Sequence, residues 1–435
     1  MSKEKVSVFW FRRDLRLDDN VGLYEALNGE FPVLPIFIFD RNILDDLEDK
    51  DDARLSFIHK QLEGIQSELK GKGSSIHTYY GQPIEVFKKL RDEYEIQSVY
   101  ANEDYEPYAL QRDEEVSQLL KTNGIELNLY KDQVIFAKDE VVKDDGDPYL
   151  VYTPYSKKWL SNLREEDLES KSSALYFENW VQTTKGKIIP LEEMGFVKSE
   201  IEIPNATLSD HTLEIYHKER DYPAKDSTSR LGIHLRFGTV SIRKIARHAQ
   251  EISEVFLKEL IWREFYMMIL YNFPEVVENN FKSKYDSLKW RNNEADFEKW
   301  KQGKTGFPLV DAGMRQLNKT GFMHNRIRML VASFLTKHLL IDWRWGEAYF
   351  ASKLLDYELA SNNGNWQWAA GTGVDAQPYF RIFNPHSQIK KFDPKEQYIK
   401  RWVPEFNTPS YAGEMLEHKA ARERALEAFK EAANN

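Results

Sequence analysis

The sequence contains no cysteine. Disulfides, thiolate metal sites and cysteine nucleophiles are excluded, and the absence fits a reducing, cytoplasmic setting. No apolar run approaches the roughly 20 residues that a membrane-spanning helix needs. The nearest, Phe31–Phe39, is interrupted by Pro32 and Pro35. The opening Met-Ser-Lys-Glu-Lys lacks the charged-then-apolar pattern of a signal peptide. The familiar short motifs are missing too. No G-x-G-x-x-G follows a strand-like segment, and neither a G-x-S-x-G elbow nor a zinc-type His pair is present. Gly303-Lys304-Thr305 resembles the end of a phosphate loop, but position 298 is Glu where that loop needs Gly. Asp144-Asp145-Gly146-Asp147 lacks the ligand spacing of a calcium loop. The usual hydrolytic sites are therefore absent and no metal is expected.

Charge and aromatic residues are unevenly spread. Of the net −10, residues 1–200 carry −14 and residues 201–435 carry +4, with +7 in residues 281–340 alone. On charge alone, an uneven solvated surface is the better account. Eight of the eleven tryptophans, however, lie between Trp262 and Trp402. A mildly basic, ring-rich back half is what single-stranded or extruded bases require, because every base offers a π face and every nucleotide a phosphate.

Residues 1–130 alternate strand and helix signals. Val6–Phe11, Val33–Phe39, Ser75–Tyr80, Gln97–Ala101 and Glu126–Tyr130 read as strands, and Arg54–Leu69, Ile84–Arg91 and Ala109–Lys121 as helices. That order predicts a Rossmann-like α/β domain with a parallel sheet. Residues 131–210 read as a polar connector, within which Val134–Tyr155 can pack against one of the domains. Residues 211–435 read as an all-helical domain, with amphipathic segments at Ser241–Gln250, Ile252–Asn272, Val310–Lys319, His324–His338, Gly346–Leu359 and Met415–Ala433.

Several clusters could carry chemistry. Asn362-Asn363-Gly364-Asn365-Trp366-Gln367-Trp368 combines rings with amides, a mixture that suits a planar, polar, aromatic ligand as well as it suits an aromatic-rich helical core. Glu259, Trp262, Arg263 and Tyr266 fall at i, i+3, i+4 and i+7 on one helical stripe. An acid, two rings and a guanidinium make a poor core face, although Glu259 and Arg263 can also be an i,i+4 ion pair. Asn325 and Met329 share a second face, with Arg326 turned away from it and free to meet a phosphate. A Met at this spacing is by itself ordinary core. Thr228-Ser229-Arg230-Leu231-Gly232 offers hydroxyls and backbone amides suited to a phosphate, and a plain N-cap explains Thr228 or Ser229 equally well.

Taken together these residues resemble the photolyase/cryptochrome flavoproteins, most closely the photolyases of cyclobutane pyrimidine dimers. The likeness runs from Val6–Arg16 to Trp402–Glu405, with its specific markers at Thr228–Leu231, Glu259–Tyr266, Gly303–Pro308, Gly321–Met329, Asn362–Gly373 and Tyr379–Pro385. The resemblance implies an α/β antenna domain and an all-α FAD-binding domain. It places FAD against Tyr216, Thr228, Ser229, Arg230, Leu231, Gly232, Arg263, Arg328, Asp356, Tyr357 and Glu358, with Asn362 facing the flavin N5. It places the pyrimidine dimer against Glu259, Trp262, Asn325, Met329 and Trp368, and DNA backbone against Arg220, Arg326, Arg381 and Gln388. Trp366, Trp343 and Trp290 match the family's electron relay. The implied reaction is light-driven and redox-neutral: excited, reduced FAD lends an electron to the dimer and regains it.

Photolyases are among the enzymes known to flip out their target bases. Each base–ring stack is worth about 1–3 kcal/mol, which helps to offset an unstacking cost of a few kcal/mol. The implied partner is DNA containing pyrimidine dimers, met by a monomer away from any membrane. Three positions depart from the family pattern. Gly232 stands where many members carry Ser, and Glu358 where Asp is usual. Ala109 replaces the acidic residue of folate-binding members, which counts against a folate antenna and leaves any second chromophore unnamed. Two rivals share the fold. Many cryptochrome photoreceptors carry an acid or thiol where this chain has Asn362, and six-four photoproduct photolyases place His around the lesion where this chain has Asn325 and Met329.

Overall fold

Five short runs of β-branched and aromatic residues form one sheet: β1 (Lys5–Phe11), β2 (Val33–Asp40), β3 (His77–Gly81), β4 (Glu95–Asn102) and β5 (Glu126–Tyr130). The computed structural model describes residues 3–434. All strands run parallel, in the order β3-β2-β1-β4-β5. Side chains alternate cleanly between two cores, as the pleat requires. Val6, Val8 and Trp10 join Leu34, Ile36 and Ile38 on one face. Phe9 and Phe11 join Val33, Phe37 and Phe39 on the other. The connecting helices are α1 (Val21–Leu27), α2 (Ala53–Lys70), α3 (Pro83–Glu93) and α4 (Pro107–Lys121). Two of them open with proline at their first position, where its missing N–H costs nothing. The expected α/β domain is present.

The boundaries differ from the expected 1–130, 131–210 and 211–435. One compact unit comprises residues 1–141, 159–207 and 230–251, and the other comprises 142–158, 208–229 and 252–435. The supposed connector is therefore divided between the two. Residues 159–207 join the sheet because their apolar residues and backbone bonds go there. Trp180 and Val181 are buried, Val33 donates to Asn179 O at 2.8 Å, and Val181 donates to Val33 O at 2.9 Å. Residues 230–251 join it through Arg243, whose guanidinium is buried between Asp19 and Asp132, each at 2.9 Å.

The helical unit contains the start of α5 (Tyr152–Asn162), then α6 (Asp210–Glu219), α7 (Glu254–Asn272), α8 (Pro308–Thr320), α9 (Asn325–Ser333), α10 (Trp343–Lys353), α11 (Leu359–Ala370) and α12 (His418–Asn434). Helix α7 is apolar nearly all round, and eleven of its residues are buried, which makes it a central core helix. Helix α11 crosses it closely. A Cβ on Gly364 would lie 2.2 Å from the Tyr266 ring, so only glycine permits the approach. Gly371 then ends α11 in the left-handed region at φ 82°.

Two helical expectations are corrected. Gly346–Leu359 is not one helix. α10 stops at Lys353, Leu354 turns extended, and Leu355 donates to Gly321 O at 2.9 Å instead of continuing the helical ladder. His324–His338 changes from α9 to a π-helix at Phe334–Leu339, closed by Leu340 at φ 53°. Among the described residues, no helix is long and apolar enough to cross a membrane.

Candidate active site

The break between α10 and α11 builds the site. Residues 354–358 run as a turn across one side of a cleft of about 610 Å³, a volume that includes its open mouth. Asn325, Arg328 and Met329 from α9, Asp356, Tyr357 and Glu358 from the turn, and Asn362, Trp366 and Trp368 from α11 all line it. Nine residues singled out from the sequence thus meet in one cavity. Their scatter over 44 positions hid the meeting; helical periodicity predicted only the pairs within one helix.

The polar groups of the cleft are tightly held. Arg328 donates to Met323 O at 2.7 Å and to Asp356 Oδ2 at 2.9 Å. The other Asp356 oxygen is buried without a hydrogen-bond partner. Arg263 meets Glu358 at 3.1 Å with both side chains nearly buried, and Glu259 pairs with Arg220, which leaves the alternative i,i+4 pairing of Glu259 with Arg263 without support. Asn362 donates from Nδ2 to Glu347 O at 3.1 Å and to Glu347 Oε1 at 2.7 Å. These bonds fix the orientation of the amide and leave its Oδ1 without a donor among the described residues. Desolvation raises the Glu347 carboxyl above its ordinary pKa, and the Asn362 amide partly opposes that rise. Glu347 was not among the expected site residues, because an acid in the middle of α10 carries no signal in the sequence.

Helix α7 presents the expected stripe outside the cleft lining. Glu259 pairs with Arg220, whose guanidinium lies 5.7 Å from the Tyr216 ring centroid. Burial raises the Glu259 carboxyl, and Arg220 opposes this. Arg326 is likewise engaged, with Asp221 at 2.7 Å and the Phe392 ring at 4.3 Å. Trp262 stacks on Tyr152, a residue not expected here, with centroids 3.6 Å apart. Arg381 is exposed and Gln388 half-buried. Thr228 and Ser229 end one stretch of the helical unit, whereas Arg230, Leu231 and Gly232 belong to the sheet unit. Arg230 has φ 51°, a left-handed conformation.

The three tryptophans expected to form a relay share one helical core, although among the described residues none of their rings packs directly on another. Trp366 meets the edge of Phe350 at 5.0 Å, Trp343 is fully buried and donates from Nε1 to Asn280 Oδ1 at 2.8 Å, and Trp290 is half-buried against Phe429 at 6.0 Å.

A family model described as the FAD binding domain of DNA photolyase matches residues 256–410, and one described as DNA photolyase matches residues 7–173. A deoxyribodipyrimidine photo-lyase of Halobacterium salinarum is 35% identical, covering 98% of this chain and 99% of that protein. The chain belongs to the DNA photolyase family. Solved structures agree with that membership. A bacterial class III photolyase from Agrobacterium tumefaciens superposes with a TM-score of 0.88 at 32% identity, covering 100% of this chain and 99% of the other. An archaeal photolyase from Sulfolobus tokodaii with two FAD molecules gives a TM-score of 0.80 at 34% identity, covering 98% and 100%.

The cleft of this photolyase-family chain fits the cofactor named by its matched domain. FAD carries N–H and O–H donors, and the wall offers two acceptors that no described residue donates to, Asp356 Oδ1 and Asn362 Oδ1. Planar apolar surface comes from Trp366 and Phe350. The longer side chain at Glu358 keeps its place, since its carboxylate is anchored by Arg263.

Proposed function

We propose that this chain is a light-driven photolyase that repairs cyclobutane pyrimidine dimers in DNA. The observation that carries the reading is the shared cleft. Asn362, held by Glu347, stands in the same wall system as Asn325, Met329 and Trp368, so the residues assigned to flavin and to lesion line one continuous space. Bound FAD, reduced and photoexcited, would supply the electron that opens the cyclobutane ring and would take it back. The protein holds and orients. Tyr216, Thr228, Ser229, Arg263, Arg328 and Asp356 to Glu358 of the helical unit hold the cofactor. Asn362 presents an amide oxygen, a neutral acceptor that adds no charge beside the flavin. Trp366, Trp343 and Trp290 carry electrons inward when the flavin is oxidised.

On the lesion side, Trp262 and Trp368 supply stacking faces, while Asn325, Met329 and Glu259 meet the dimer's edge. Arg220, Arg326, Arg381 and Gln388 take the DNA backbone. In the unbound protein Arg220 and Arg326 are each paired with an acid, so phosphates compete with Glu259 and Asp221 for the same guanidinium groups. A six-four specificity is disfavoured. The nearby His324 is buried with its pKa lowered to about 4 by desolvation, and its Nδ1 is used to cap α9 by accepting from the Arg326 N–H at 3.1 Å. A folate antenna is disfavoured because Ala109 is buried and presents no acid.

The test is illumination of the FAD-loaded protein with blue light on DNA carrying either lesion. Conversion of cyclobutane dimers alone supports the proposal. Conversion of six-four products alone, or of neither, refutes it.

A further inference from the structure

Tyr152, the first residue of α5, lies flat on Trp262, with centroids 3.6 Å apart and planes 6° from parallel. The tyrosine is tied at both ends. Its Oη donates to Lys258 O at 2.8 Å, about one turn before Trp262 on α7, and its backbone N–H donates to Asp375 Oδ2 at 3.0 Å. Phe265, fully buried, meets both rings edge-on, at 5.9 Å from Tyr152 and 5.6 Å from Trp262.

A ring held this way is not a placeholder that leaves when a base arrives, because leaving would break the Oη hydrogen bond and two ring contacts at once, while the backbone bond to Asp375 anchors the residue. It is a backing surface. It covers one face of a half-buried indole and fixes the plane in which the indole meets anything else. An unbacked indole on a helix has rotamer freedom that a base would have to quench on binding, and quenching it beforehand improves affinity without any new contact to the ligand.

We propose that Tyr152 is a positioning residue for lesion recognition, which sets the plane of Trp262 against the extruded pyrimidine dimer. The inference deepens the proposed repair function and rests on Trp262 as a stacking partner of the lesion. Tyr152 touches neither DNA nor cofactor in this scheme; it acts through the indole. It also gives a task to residues 142–158, the stretch of the supposed connector that belongs to the helical unit.

The test uses the full-length, FAD-loaded protein and measures binding in the dark, by fluorescence anisotropy, to a duplex with one cyclobutane dimer and to the same duplex undamaged. Tyr152→Ala is expected to weaken dimer binding about three- to tenfold, the size of one side chain's ordering cost, and to leave undamaged binding unchanged. Tyr152→Phe keeps the ring and should stay within about twofold of the parent on both duplexes, because the face laid on the indole is unchanged and the lost hydroxyl bonds Lys258 O rather than Trp262. Tyr152→Leu keeps apolar volume without the ring. It should retain its flavin absorbance and lose dimer affinity as the alanine variant does, even if the alanine variant fails to fold. Repair per absorbed photon at saturating enzyme should not change in either. Dimer affinity that is unchanged or tighter in the leucine variant, an equal loss on both duplexes, or a phenylalanine variant as weak as leucine overturns the assignment. Trp262→Ala separates the two levels. If it keeps full preference for the dimer, the stacking reading itself is wrong; if it loses that preference while Tyr152→Leu does not, only the role of Tyr152 is refuted.

Discussion

Replacing Asn362 with alanine tests the link between the cleft and the acid behind it. The Asn362 amide opposes the desolvation of the Glu347 carboxyl through its 2.7 Å bond to Oε1, and its 3.1 Å bond to the Glu347 backbone carbonyl holds it in place. A hydrogen bond to a charged acceptor contributes about 1.5–3 kcal/mol, against about 0.5–1.5 kcal/mol for a neutral one. The folded pKa of Glu347 already lies above its unfolded value. The associated stability is therefore complete below the unfolded pKa and is lost as pH rises through the folded one. Removing the amide raises the folded pKa further and enlarges that loss. Asn362→Ala should then cost about 2–3 kcal/mol at pH 8 and about 1 kcal/mol near pH 4.

In a Glu347→Gln background the cost should fall to about 1 kcal/mol and become independent of pH, because glutamine carries no charge. The coupling in this double-mutant cycle, about 1–2 kcal/mol at pH 8, cancels any weakening of flavin binding that is common to both backgrounds. Urea unfolding followed by tryptophan emission is a suitable assay, since eight of the eleven tryptophans lie in the helical unit. Equal costs at both pH values, or a cost unaffected by Glu347→Gln, would refute the reasoning.

Trp366→Phe should stop photoreduction of oxidised flavin while the chemically reduced protein still repairs; light-driven reduction at the parent rate would remove Trp366 from the relay. Arg326→Ala should weaken damaged and undamaged DNA alike and make the salt dependence shallower by about one phosphate contact. The Asp221 partner left behind is 42% exposed and stays solvated, so an effect confined to damaged DNA would contradict a backbone role. Gly364→Ala should lower stability by about 1–3 kcal/mol through overlap with Tyr266. Gly64→Ala, in α2 with nothing within 4 Å, should be neutral or stabilising by up to about 1 kcal/mol, and a thermal melt of each variant checks the contrast.

The sheet was legible because a strand buried on both faces is an uninterrupted apolar run, and β1 and β2 are such runs. The break at residues 354–358 was not legible. Apolar periodicity continues through Leu354 and Leu355, and the bond that ends the helix comes from Gly321, more than 30 residues away in sequence. The cleft residues carried readable chemistry one helix at a time, as with Asn325 and Met329, but their meeting depends on the packing of α9 against α11 beside the turn at residues 354–358. Glu347 and Tyr152 escaped notice for the same reason. Each acts through a single site residue, Asn362 for Glu347 and Trp262 for Tyr152, and that residue sits in another element.

The helical unit borrows residues 142–158 from the early part of the chain, and this has a consequence for synthesis. The segment leaves the ribosome about 100 residues before α7, which at roughly 5–20 residues per second is a delay on the order of 5–20 seconds. During that interval Tyr152 has no Trp262 to rest on. The sheet unit is in the same position, because its last stretch, residues 230–251, is made only after residues 208–229 of the other unit. Neither half can be finished before the other has begun, so a shortened chain that starts at residue 208 would lack the strip that shields Trp262.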